Sequence, residues 1–183
     1  MKDKLKDVLE RYKHIWKTES SFMSYIRGGI RRSLWNRSPV KLEFIKNNRY
    51  KIKNPNPNAR VKEVWGGKCA LTGEELPLNQ LECDHIVGNH SLQSLDDLQS
   101  FIEAIVLVTE DDLQFVSKEA HKVKSYSEKM GISFEEAYAE KRAISIISSK
   151  QDKAVLEEAG IVPASNQKGR REQLVKLFMK EDN

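Results

Sequence analysis

Glu82-Cys83-Asp84-His85-Ile86, followed downstream by Asp111-Asp112-Leu113-Gln114-Phe115-Val116 and His121-Lys122-Val123-Lys124, is the set of residues on which the fold turns. The Asp-His pair ends an apolar segment, with Leu81 and Cys83 before it and Ile86 and Val87 after it. Leu81–His85 reads as a strand. Neighbouring strand residues point to opposite faces, so Asp84 and His85 can do different work from one strand end. The second stretch leads into a helix from about 117 to 126. That helix carries His121 and Lys124 three residues apart, hence on one face.

A carboxylate and an imidazole for a metal ion, with a separate imidazole for a water, make the layout of a one-metal phosphodiesterase site. Hydrolysis of a phosphodiester needs a nucleophilic water, relief of negative charge at phosphorus, and help for the departing oxygen. A neutral histidine can take the water's proton, a role worth roughly 10²–10⁴-fold. One divalent ion can polarise the phosphate and stabilise the leaving oxygen.

In this order the Asp-His pair, the Leu113-Gln114 run and the His-x-x-Lys helix resemble the HNH (ββα-metal) endonuclease family. Upstream, an Arg-rich run ending in Trp35-Asn36-Arg37-Ser38-Pro39-Val40 is similar to the Trp-x-Arg-x-Pro-Val of small phage-encoded HNH proteins. The resemblance covers about residues 24–126. It implies an α+β, mainly helical protein with a ββα-metal core, in which His85 is the general base and Asp84 and His121 hold one divalent ion. Mg²⁺ is the ion expected first, with Mn²⁺ or Ni²⁺ as alternatives. Lys124 is expected to meet a phosphate. Asp112 stands where the family carries Asn, a residue that chiefly ties down the loop positioning the base. An ionised Asp accepts hydrogen bonds but donates none, so half of that role is in question, and an approach of Asp112 to the metal is the lesser alternative. Many relatives also carry two Cys-x-x-Cys pairs for zinc. Here those positions read Cys69-Ala70-Leu71-Thr72 and Ser117-Lys118-Glu119-Ala120. One cysteine of four survives, whereas a structural zinc takes four ligands, so no structural zinc is expected.

Charge is distributed unevenly along the 183 residues. Residues 1–66 hold 17 Lys and Arg against 6 Asp and Glu, and residues 67–183 hold 14 against 21. A basic arm beside an acidic body suits a protein that grips a polyanion with one part. The stripe Arg27, Arg31, Arg32, Arg37, Lys41, Lys46 and Arg49, opposed only by Glu43, suits salt-sensitive and sequence-independent affinity for phosphates. Arg27, Arg31, Arg32, Arg37 and Lys41, with Lys122 on the later helix, are the candidate DNA-binding set. Lysine-rich helices that merely aid solubility are the plainer explanation. No stretch approaches the ~18 apolar residues of a membrane span, and the charged start, Met1-Lys2-Asp3-Lys4, lacks the apolar centre of a secretion signal. A cytoplasmic protein is expected, in the host cytoplasm if phage-encoded, with DNA as partner and no membrane. Cys69 and Cys83 are too few for a disulfide framework.

Apolar periodicity predicts helices over 3–18 and 21–35, and Ser38-Pro39 starts a third running to about 47. Asn54-Pro55-Asn56-Pro57-Asn58 reads as a linker. Three regions follow: a basic helical arm (1–58), a catalytic core (59–126) and a helical extension (127–183). Within the core, Arg60–Trp65 reads as a short helix stopped by Gly66-Gly67, Cys69–Gly73 as a knuckle-like turn, and 94–107 as an inserted helix. Ser133-Phe134-Glu135-Glu136 is a capping box that opens a helix to about 147. Asp152–Ala159 stops at Gly160, and 165–180 is the last helix.

Several residues carry competing readings. His90 is an extra ligand or, more simply, a loop residue, and His14 an exposed helix position. Cys83 is a buried strand residue rather than a nucleophile. Trp35 either stacks on a base or packs between helices. Lys168, Arg170 and Arg171 form a second DNA contact or a solvated helix start. The expected function is a metal-dependent HNH endonuclease that nicks or cuts DNA. The alternative is a DNA-binding protein whose HNH core has decayed and cuts nothing.

Overall fold

The computed structural model describes residues 2–88 and 90–181. The chain divides into two units, Met1–Ser117 and Lys118–Asn183.

The first unit opens with helices α1 (Lys2–Arg11), α2 (Glu19–Ser33) and α3 (Pro39–Asn48). Thr18 and Ser21 cap α2 reciprocally, each side chain taking the other's backbone N–H, which satisfies two donors left over at the helix start. A 3₁₀ turn, Trp35–Arg37, links α2 to α3. Ser38 is buried and accepts the N–H of Lys41 at the start of α3, with Pro39 in the first turn.

Strands β1 (Tyr50–Lys53), β2 (Glu63–Lys68) and β3 (Glu75–Pro77) make one antiparallel sheet in that order. Residues 54–58, expected as a linker, are the loop of the β1–β2 hairpin. The asparagines stitch it: Asn56 N–H donates to Asn54 Oδ1, Asn58 N–H to Asn56 Oδ1, and Asn54 Nδ2 to the Val61 carbonyl. These side chains stand in for a turn's backbone bonds. The division of the chain falls after Ser117 instead.

The helix expected over Arg60–Trp65 is also absent; from Glu63 the chain is β2. The reason lies in Gly66 and Gly67, which do not stop a helix but let strands and side chains approach. A Cβ at Gly66 would lie 2.5 Å from Ile52 Cδ1, and one at Gly67 2.9 Å from the Phe115 ring. Cross-strand packing thus overrides the local reading.

Strands β4 (Leu81–His85) and β5 (Leu113–Ser117) pair antiparallel, with Asp84 opposite Gln114 and His85 opposite Leu113. Leu81, Cys83 and His85 are buried while Glu82 and Asp84 are half-buried, the alternation a one-sided strand requires. Between them, the inserted segment is a 3₁₀ turn (Leu95–Asp97) and α4 (Leu98–Ile105). Its apolar face does not stand alone. Leu92, Phe101 and Ile105 share a core with Met23 of α2, flanked by Phe22, Ile26, Ile30 and Trp35. The basic arm and the insertion are therefore one packed body. On the other side, Phe44 of α3 meets Phe115 of β5 at 5.1 Å between centroids, a pair worth ~0.5–1.5 kcal/mol beyond its buried area.

The second unit is helical: α5 (Lys118–Met130), α6 (Phe134–Ser148), α7 (Asp152–Glu158) and α8 (Gln167–Glu181). Ser133 caps α6 by accepting the Glu136 N–H, and Gly160 ends the α7 segment at φ +72°. Ala139 and Ala143 present little bulk, so Leu156, Leu174 and Phe178 close against them into a core with almost no exposure. Two ion pairs hold α8. Arg170 Nε donates to Asp152 Oδ2 at 2.6 Å, and Arg171 pairs with Glu140 while donating to Tyr126 Oη at 3.0 Å. Arg170 and Arg171 thus staple α8 to its own unit rather than forming a simply solvated helix start, whereas Lys168 is exposed. No helix among the described residues is long and apolar enough to cross a membrane.

Candidate active site

His85 is one of the few buried polar residues of the first unit. It is buried at the end of β4, and its Nε2 lies 3.3 Å from the carbonyl oxygen of Ile105. A carbonyl only accepts, so Nε2 is the donor in this hydrogen bond, and such a bond favours the Nε2–H tautomer of a neutral imidazole. Ile105 is the last residue of α4, where carbonyls have no partner within the helix. The insertion therefore supplies a contact that orients the imidazole.

Trp35 supplies another. Its ring lies 4.2 Å from the His85 ring, centroid to centroid, at 34° between planes. Lys41 places its ammonium 4.8 Å from the same indole. Trp35 thus packs on the imidazole as well as on the α2–α4 core, a partner that neither reading from the sequence named. No periodicity could have found it, because fifty residues separate the two.

Asp112 closes a 3₁₀ turn, Glu110–Asp112, ahead of β5. Its Oδ2 accepts both the N–H and the hydroxyl of Thr109, at 2.8 and 2.9 Å. These hydrogen bonds, from the Thr109 backbone first and its hydroxyl second, hold the Asp112 carboxyl below the usual carboxylate range. Its backbone carbonyl accepts the N–H of Ile86, the residue after His85. The Asp112 side chain ties down the loop beside His85 by accepting, while its backbone N–H donates to the Thr109 carbonyl. A cleft of about 420 Å³ opens here, lined by His85, His90, Glu103, Asp111 and Asp112 among others. The Nε2 of His90 donates to the Val87 carbonyl at 2.9 Å, as a loop residue would.

Asp84, on the opposite face of β4 from His85, is half-buried, and its charge reaches Arg31. Burial lowers the Arg31 pKa, Arg27 adds to that, and Asp84 opposes it. Arg27 and Arg31 lie one turn apart on α2. Arg27 is half-buried and bonds Ser24, Arg31 reaches the edge of Phe101, and Arg32 and Arg37 are exposed. Lys41 is half-buried against Trp35.

The remaining candidates are on α5 in the second unit. His121 and Lys124 are half-buried on one face, and Lys122 is exposed. Lys124 forms an ion pair with Glu128 at 3.1 Å, which sets the place of its ammonium. Ala120 and Val123 are buried.

Both thiols are buried. Burial pushes the Cys83 thiol up to about 11, as befits an inert strand residue. Burial also raises Cys69, but hydrogen bonds from Thr72 and from the N–H groups of Ser117, Thr72 and Leu71 outweigh it and leave its pKa lowered. The Ser117 N–H lies 3.2 Å from the Cys69 sulfur, within the knuckle formed by Gly73 N–H to the Cys69 carbonyl. Among the described residues, no three His, Cys, Asp or Glu side chains gather into a ready metal cage.

Comparison of the chain with protein-family models, with curated proteins and with solved structures finds no match in any of the three.

Proposed function

We propose that the protein is a metal-dependent endonuclease of the ββα-metal type that hydrolyses DNA phosphodiester bonds. The observation that carries this reading is His85: a buried imidazole with its Nε2–H tautomer favoured by the Ile105 carbonyl, its ring held by Trp35, at the mouth of a cleft. A histidine that serves only packing does not need an oriented ring beside a cavity. The β4–β5 pair, followed without a break by α5, agrees with a ββα order.

His85 takes the proton of the attacking water. Asp84 supplies the carboxylate and His121 the imidazole that the sequence order assigns to one divalent ion, a hard-oxygen and nitrogen set suited to Mg²⁺, Mn²⁺ or Ni²⁺. When bound, that ion polarises the phosphate and stabilises the leaving oxygen. Lys124 steadies a phosphate, and Asp112 acts as a positioning residue through the loop it caps. Arg27, Arg31, Arg32, Arg37, Lys41 and Lys122 hold DNA through its backbone. The protein acts in the cytoplasm, that of the host if phage-encoded.

The test is supercoiled plasmid incubated with the protein and Mg²⁺, Mn²⁺ or Ni²⁺, beside His85→Ala. Nicking or linearisation by the wild type, abolished in the variant, is expected. DNA binding without cutting by either protein would replace this reading with that of a DNA-binding protein whose core has decayed.

A further inference from the structure

The outer face of the β1–β2 hairpin carries an aromatic ring that the proposed nuclease site does not use. Lys51 lies directly across from Trp65, and Lys53 across from Glu63. The opposite face packs inward: Ile52 is buried and Val64 half-buried, while Trp65 is 43% exposed. Two cations are held at this indole. The Arg49 guanidinium lies 4.5 Å and the Lys51 ammonium 4.4 Å from the ring centroid. Of the nearby acids, Glu63 faces Lys53, and Glu75 is engaged on the other face by the Tyr50 hydroxyl at 2.9 Å. What remains is a part-exposed ring with two positive charges lying over it, on a three-stranded sheet.

An exposed indole takes an unstacked nucleobase, and the flanking cations take its phosphates. A duplex keeps its base faces inside the stack, so it can use the cations but not the ring. We propose that the Trp65 face binds an unpaired DNA strand, one base stacking on the indole as the flexible Arg49 and Lys51 side chains swing from the ring to the phosphates of the adjoining backbone. The proposal rests on the nuclease reading only for the choice of DNA as the nucleic acid. It makes the preferred substrate one that presents a single-stranded stretch of DNA.

The test measures fluorescence anisotropy of labelled oligothymidylate of about 15 nucleotides and of a duplex of equal length, with the full chain and EDTA to prevent cutting. Trp65→Ala is expected to weaken the oligothymidylate about tenfold and to leave the duplex nearly unchanged, and Trp65→Phe to restore most of the affinity. Arg49→Gln with Lys51→Gln is expected to flatten the salt dependence on the single strand by about 1.4 in log–log slope. Wild-type affinity of Trp65→Ala for oligothymidylate, or an equal loss on both probes, would overturn the proposal. Plasmid cleavage measured alongside keeps the two ideas apart. Trp65-dependent strand binding by a protein that never cuts supports this proposal and sinks the nuclease. Cutting without such binding does the reverse.

Discussion

Trp35 lies against the imidazole of His85, ring centroids 4.2 Å apart, so the indole limits the positions open to the candidate base. Loss of the indole removes a ring contact but keeps the Ile105 hydrogen bond. Trp35→Ala is expected to lower the rate of plasmid cleavage by ~10²-fold, the scale of a misplaced catalytic group, with DNA affinity reduced far less. Trp35→Phe keeps a ring in place and most of the rate. Single-turnover cleavage beside a binding isotherm separates the two effects. A drop in affinity that matches the drop in rate would make Trp35 a DNA contact instead.

Asp112 gives a pH signature. Its folded pKa lies below the ordinary value because Thr109 donates to the carboxylate. A carboxyl depressed in the folded state stabilises fully above its unfolded pKa, and that stabilisation fades as pH falls through the folded value. Asp112→Ala is therefore expected to melt lower than the wild type at neutral pH, with the gap closing below about pH 4. Asp112→Asn keeps an acceptor for Thr109 and is expected to retain cleavage activity better than Asp112→Ala. Thermal melts between neutral and acid pH decide the first point, and a gap that stays constant would remove the cap from the account.

The thiols offer a third measurement. With both sulfurs buried and Cys83 raised to about 11 by that burial, a thiol reagent near pH 8 is expected to label neither cysteine in the native protein and both after denaturation. Only the thiolate reacts. Rapid labelling of one native cysteine would show that its cover opens.

In the second unit, Leu174 has no exposed surface and sits between alanines of α6 and the end of α7's core. Leu174→Ala removes a buried branched side chain and is expected to cost ~2–5 kcal/mol through lost burial and the cavity left behind. Chemical denaturation of the variant checks this, and a loss below about 1 kcal/mol would mean that the unit repacks.

Much of the local order was legible in the chain. The alternation of Leu81, Cys83 and His85 gave β4 its bounds, and Ser38, Ser133 and Gly160 marked helix ends through chemistry confined to a few residues. Arg60–Trp65 was not legible as a strand, because Gly66 looks like a helix stop until Ile52 and Leu76 are brought against it. Nor were the arginines of α8, whose partners Asp152 and Glu140 lie 18 and 31 residues away. The candidate site splits the same way. Its titratable residues stood out by type and spacing, but what orients His85 is a distant indole and a backbone carbonyl. Neither carries a spacing to recognise.

That carbonyl has a consequence for mutagenesis. The oxygen of Ile105 belongs to the main chain, so every substitution at position 105 retains it, and a scan of side chains across the site would pass over it in silence. What sets its place is where α4 stops. Inserting or deleting one residue in α4 would swing the terminal oxygens by about 100° around the helix axis and leave every named side chain intact. A protein altered in that way would keep its whole inventory of candidate catalytic groups and lose the contact that orients one of them.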